Sequence, residues 1–426
     1  MKKIFVILLL FFIPSIVHAE QGFLDVTAPG NRQLQLAITA TRSPDGMQDS
    51  EIVKDVSDIL QFDMTLAGPF SVKTVAGNDG NGIRPGEFDI APWKAAGFDL
   101  LVKSSYMIAD GNITLEFRLY DVFKNNEMLA KRYTGNIRDL RKIVHTFADE
   151  IMQAVTGETG PFTGKIAFVS KRTRNKEIYL MDYDGYNVQR LTRNGSINLD
   201  PDFSPDGREI IYTSYKRGNP DLFRRELFSG AEAGISARPG LNITGAYAPD
   251  GKRIALAMSK DGSSKIYLID KAGKLLARLT YGGNIDVSPA WSPDGAQIAF
   301  ISDREGKPQV FIMNADGANI HRLTFRGAYN VGPRWSPKGN RIVYCRQEGN
   351  GFQIYAINPD GSDDTRLTSE GSNEHPRWSP DGRFITFSSK RGGKEAIYVM
   401  RSDGSGQTRV SRGTGDDSHP TWSSCW

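Results

Sequence analysis

Residues 289–295 read Pro-Ala-Trp-Ser-Pro-Asp-Gly, and the tetrapeptide that starts at Ser292 decides the fold because it recurs. It begins again at Ser204 and Ser379, with variants at Ala248 (Ala-Pro-Asp-Gly) and Ser336 (Ser-Pro-Lys-Gly) and a degenerate copy at Ser423. The interval is 43 or 44 residues throughout. An aromatic residue stands before every copy: Phe203, Tyr247, Trp291, Trp335, Trp378 and Trp422. A fixed period of this length marks a repeat architecture in which each unit is one supersecondary element.

Outward from Gly295 the unit keeps a simple grammar. Apolar runs at 298–301 and 310–313 are separated by Asp303-Arg304-Glu305-Gly306, and an Ala-Asp-Gly turn at 315–317 leads to Arg322-Leu323-Thr324. Short apolar segments joined by Asp-Gly or Gly turns are strands in hairpins. Four strands in a unit of this length describe a propeller blade. One small sheet cannot cover both its faces, so blades stack radially, with the repeated aromatic filling the space between them. The array is offset at its ends. Second strands begin at Ile166, Ile210, Ile254, Ile298, Ile342 and Ile385, but the first lacks a Pro-aromatic strand before it. The last copy, His419-Pro420-Thr421-Trp422-Ser423, lacks a second strand after it. The C-terminal strand is therefore expected to complete the blade begun at Lys165, closing a six-bladed all-β propeller.

Residues 20–157 carry none of this pattern and read as an α/β domain. A strand is predicted over 34–38, and a helix over 49–64 with Ile52, Val56, Ile59 and Leu60 on one face and Asp49 or Ser50 as cap. A short helix at 93–97 ends in Gly and leads to a strand at 99–104. Residues 113–119 alternate cleanly and pair with 127–133. A last helix over 137–155 aligns Leu140, Ile143, Val144, Phe147, Ile151 and Ala154. On that helix His145 reads as a partly exposed polar residue. Residues 158–162 form the linker, and 163–426 the propeller.

The first nineteen residues have the form of a secretory signal. Lys2 and Lys3 precede an apolar run over 4–13, and Val17-His18-Ala19 presents small residues where a signal peptidase reads. The run is too short for a permanent span, and Glu20, not Cys, follows the expected cut. The expected location is the periplasm, with no membrane insertion. A net charge of +4 over 426 residues, without a run of five Lys or Arg, gives nucleic-acid binding no electrostatic support. Cys345 and Cys425 are the only cysteines, so disulfides are not the main stabilising device, and Cys345 reads as a buried thiol in an apolar strand.

A secretory signal, a small α/β domain and six Pro-aromatic-Ser-Pro-Asp-Gly blades closed at Pro420-Thr421-Trp422-Ser423 together resemble the TolB family, the periplasmic components of Tol–Pal systems, over essentially the whole mature chain. Ala248 and Lys338 depart from the motif, and Ser424-Cys425-Trp426 replaces its last residues. The resemblance implies a monomeric, non-enzymatic scaffold that binds the lipoprotein Pal through the propeller. It further implies that the mature N-terminal stretch, with Glu20, Phe23, Leu24 and Val26, reports to TolA, in support of outer-membrane integrity and cell division.

The residues themselves carry no enzyme signature. No Gly-x-Ser-x-Gly occurs, no Gly-Lys pair is followed by the Ser or Thr of a phosphate loop, and the mature chain's histidines, His145, His321, His375 and His419, form no zinc-type pair. No cofactor and no metal ligand set is expected. A periplasmic propeller hydrolase or lyase is the competing class; it would want a His/Arg cluster in the channel, which the sequence does not display.

One class of positions invites a functional reading. Three residues before each motif Pro, or before Gly245 in its place, stand Asn198, Asn242, Asp286, Asn330, Asn373 and Asp417. Immediately before it stand Asp200, Thr244, Ser288, Gly332, His375 and His419. These lie where one blade passes into the inner strand of the next. Asn and Asp serve turns and left-handed backbone well, which is one account of the first set. The other account makes both sets a partner-docking mouth, with a channel cation near Asp200 and Asp286 as a further option.

Overall fold

A computed structural model describes residues 32–44, 46, 48–75, 82–413 and 415–424. The signal segment, the stretch bearing Glu20, Phe23, Leu24 and Val26, and Cys425 lie outside the described residues.

The N-terminal region is a five-stranded sheet in the order Phe70–Val75, Leu34–Thr39, Leu100–Ala109, Asn112–Asp121, Asn126–Asn136; the first three strands run parallel. Helices α1 (Ser50–Ala67), the short α2 (Ala91–Ala95) and α3 (Leu140–Thr156) cover it. In the first central strand Leu36 and Ile38 face the core shared with α1 and α3, whereas Ala37 faces Trp93, Phe98 and Leu101 on the other side. Asp49 caps α1 by accepting from the Glu51 and Ile52 amides, an arrangement worth about 1 kcal/mol. The short helix begins two residues ahead of the sequence reading, because Pro92 suits the first helical turn. The strand after it runs on to Ala109, because Asp110 and Gly111, both at positive φ, make a two-residue hairpin to the next strand.

The rest is a six-bladed propeller, each blade a four-stranded antiparallel sheet. We count blades by their inner strands: Asn198–Phe203, Asn242–Tyr247, Asp286–Trp291, Asn330–Trp335, Asn373–Trp378 and Asp417–Trp422. The sixth inner strand pairs with Lys165–Thr173, placing Trp422 opposite Ile166 and Asp417 opposite Ser170. The Ser423 amide then donates to the Lys165 carbonyl at 2.8 Å, so the chain's two ends lock one blade, as the offset repeat requires. Five of the six aromatics are buried between blades, and Trp335 is only half-buried.

The N-terminal region sits on the face of the motif turns, where Glu158 pairs with Lys338 in the turn of blade four and with Arg383 just after the turn of blade five. Tyr183 of blade six stacks on Trp422, ring centroids 5.8 Å apart, and touches Phe162, while Arg401 of blade five donates to the Leu66 and Thr65 carbonyls at the end of α1. His145 is buried here, not partly exposed. It occupies the shoulder of α3 turned toward the propeller, and Asp63 of α1 and Asp184 of blade six supply the charge that makes its burial tolerable.

Candidate functional site: the channel mouth

The inner strand of every blade breaks register across the residue just before the motif Pro or Gly245, leaving a bulge between, for example, Val287 and Ala290 or Glu374 and Arg377. A bulge re-aims a side chain. At that position φ is positive in all six blades: 49° at Asp200, 52° at Thr244, 55° at Ser288, 65° at Gly332, 55° at His375 and 50° at His419. Five of these are not glycine, and a left-handed conformation costs such residues about 1–2 kcal/mol each. All six line one channel cavity of about 260 Å³, and the five with side chains of their own are half-buried.

The histidines give the cavity its character. His375 and His419 stack with centroids 3.6 Å apart. His419 Nε2 lies 3.7 Å from the Asp200 carboxylate. Burial, with Lys176 and Arg377 nearby, pushes His419 down to about 3, and burial beside His419 pushes His375 well below its ordinary value. Both imidazoles are therefore neutral at pH 7.

The Asn/Asp ring belongs elsewhere. Asn198, Asn242, Asp286, Asn330, Asn373 and Asp417 have no exposed surface. Asn198 donates to the Lys176 carbonyl and Glu177, Asn330 to Gln309 and the Arg326 carbonyl, and Asn242 to the Arg238 carbonyl. Asp286 pairs with Lys265 and Arg304. A partner at the mouth cannot reach Asn198, Asn242, Asp286 or Asn330; with Asn373, which donates to Gln353, they tie the inner strands of five blades to the blade before. The option of a cation shared by Asp200 and Asp286 fails with them. Among the described residues no group of three or more His, Cys, Asp or Glu could hold a metal ion.

Two functional candidates were missed in the sequence. Two residues beyond the mouth ring, each inner strand contributes to a deeper layer, and blades four and five place Arg334 and Arg377 there. The channel thus does hold a His/Arg cluster. The signal was present in the repeat, where Asp202, Ala246, Ala290, Arg334 and Arg377 occupy equivalent positions, but only the ring geometry brings them together.

A six-bladed propeller with a polar channel mouth, carried behind a mixed α/β domain, defines the class. A family model described as the TolB beta propeller domain matches residues 152–426, and one described as the TolB amino-terminal domain matches 23–128. The chain belongs to the TolB family. It is 64% identical over 198 residues to the Tol-Pal system protein TolB of Geobacter sulfurreducens, covering 46% of each chain. It is 63% identical over 212 residues to that of Geobacter metallireducens, covering 49% of each. The chain thus spans about half the length of these curated relatives. The crystal structure of TolB from Acinetobacter baumannii superposes with a TM-score of 0.80 at 24% identity, covering 92% of this chain and 97% of that one, and shares the fold.

Proposed function

We propose that this chain is the propeller component of a periplasmic Tol–Pal system: a non-enzymatic, monomeric scaffold that docks Pal at the channel mouth and TolA through the mature N-terminal stretch, in support of outer-membrane integrity and cell division. The observation that carries it is the ring of Asp200, Thr244, Ser288, Gly332, His375 and His419, re-aimed into an open cavity by a bulge repeated in every blade. Family membership and the name of the Geobacter relatives support the choice of partners.

The His/Arg cluster favours the lyase or hydrolase class enough to weigh it. His375 Nδ1 lies 3.1 Å from Ser388 Oγ. Ser388 is buried, however, and its hydroxyl lies 3.1 Å from the Glu374 carbonyl, an acceptor that competes with Nδ1 for the hydroxyl proton. Burial pushes the Cys345 thiol up to about 12, far from a reactive thiolate. His419, held near 3, is a weak base. Docking accounts for the same residues without these obstacles.

The test replaces Ser288→Glu together with His375→Glu and titrates the protein with the soluble domain of its own organism's Pal by calorimetry. Loss of docking anchors of this kind costs about 2 kcal/mol or more, over tenfold in affinity. Unchanged affinity would reject the mouth as the docking face. Removal of residues 20–29 should abolish TolA binding and spare Pal binding; retained TolA affinity would reject that role for Glu20, Phe23, Leu24 and Val26.

A further inference from the structure

The strongest unexplained feature of the channel is Arg334. Arg334 lines both the mouth cavity of about 260 Å³ and a second cavity of about 220 Å³ on the side of the Ser-Pro-Asp-Gly turns. Nη1 donates to the neighbouring Pro333 carbonyl at 2.7 Å, and buried Nε has no partner. Among the described residues Arg334 forms no ion pair. Of the nearby carboxylates, Asp202 accepts from Arg377 at 3.2 Å and from the Tyr247 amide, and Asp200 lies 3.7 Å from the neutral His419. The Trp378 indole donates to the Arg334 carbonyl at 3.1 Å, which holds the backbone in place.

A guanidinium carries five donors in a planar fork suited to a carboxylate, and a buried donor left unmade is unfavourable. Burial and the like charge of Arg377 pull Arg334 down to about 9, and Arg377 is pulled down as well. Asp202 and Asp200 offset part of this positive charge from a distance, but neither carboxylate pairs with the Arg334 guanidinium. An anion entering from the mouth passes the neutral histidines and the Asp200 and Glu374 carboxylates of the rim before it meets the arginine layer.

We propose that Arg334 is the receptor for a carboxylate that an acidic side chain of the protein docked at the mouth inserts into the channel. This rests on the docking reading above and adds the chemistry of the residue that must enter. Arg377, already paired with Asp202, leaves Arg334 as the arginine of the layer without an ion-pair partner among the described residues.

The test uses the full mature chain, with sodium malonate as probe against sodium chloride at matched ionic strength. Malonate should raise the melting temperature of the wild type more than chloride does. Arg334→Met should lose that increment while melting cooperatively in chloride, and Arg334→Lys, which keeps the charge, should retain part of it. Equal increments in wild type and R334M, or none in either, would overturn the carboxylate site. In a second arm, Pal's soluble domain should bind R334M about tenfold more weakly or worse. Malonate should compete with it on the wild type and not on R334M. A malonate effect without competition would mean a free-anion site and overturn the inserted side chain. Failure of Pal to bind the wild type at all would overturn the docking reading and the source of the carboxylate, while the malonate arm still reports on Arg334.

Discussion

Nε2 of His145 lies 3.3 Å from the carboxylate of Asp184, an ion pair that joins α3 to the propeller with both side chains 3% exposed. On the other side of the ring, Nδ1 is 2.8 Å from Asp63 of α1. Arg141 also pairs with Asp184, and the Tyr183 hydroxyl donates to Asp63. Burial pulls Asp63 toward its protonated form, but both neighbours donate to it, so the imidazole is the group that holds the proton. Breaking a buried pair by removing one partner costs about 3–5 kcal/mol. His145→Ala should lower unfolding stability by that order, read by denaturant titration; a change under 1 kcal/mol or so would assign the junction to apolar packing instead.

The same residue sets a pH dependence. Burial lowers the His145 imidazole, yet Asp63 and Asp184 outweigh it and raise it to about 10. A group raised in the folded state stabilises fully below its unfolded value, about 6.5, and that contribution is lost as pH rises through about 10. Wild-type stability should therefore fall between about pH 7 and pH 10 more steeply than that of His145→Gln. Parallel slopes for the two proteins would show that the imidazole is not charged in the junction.

Ring closure should be indispensable. Removing residues 418–426 deletes the inner strand of blade six with Trp422, which is 6% exposed and stacked on Tyr183. The loss should exceed the ~5–15 kcal/mol that keeps a typical domain folded. A truncated chain that melts where the wild type does would refute closure by this strand.

The aromatic positions should differ in weight. Trp378 is buried and hydrogen-bonded, so Trp378→Ala should cost about 3–5 kcal/mol. Trp335 is half-buried, and its indole nitrogen has no partner. Trp335→Ala should cost less, about 1–2 kcal/mol, as partial burial removes a share of the transfer and cavity terms. Thermal melts of the two variants decide; equal losses would place Trp335 in the core.

Gly332 leaves a gap in the mouth ring. A Cβ there would meet nothing within 4 Å, and the equivalent His375 and His419 adopt the same left-handed backbone. Gly332→His should cost about 1–2 kcal/mol of stability and narrow the mouth, weakening Pal binding measured by calorimetry. Full affinity in a folded Gly332→His protein would place the docked partner away from blade four.

The repeat period, the six blades and the closing strand were legible in the sequence because each depends on local chemistry. Pro-Asp-Gly turns, one aromatic per unit and alternating apolar runs announce themselves wherever they occur. The N-terminal helices and strands were legible for the same reason, with ends displaced where Pro92 and the Asp110-Gly111 turn acted. What only the tertiary structure decided were relations across blades and between domains. Asn198 and Asp200 are two residues apart and equally polar, yet the bulge turns one into a clamp and the other toward the channel. His145 is buried because two carboxylates distant in the chain meet it. Arg334 lacks an ion-pair partner because the blades opposite it bring alanine and an already paired aspartate to its layer. Such facts depend on distances between segments tens to hundreds of residues apart, and no local periodicity encodes them.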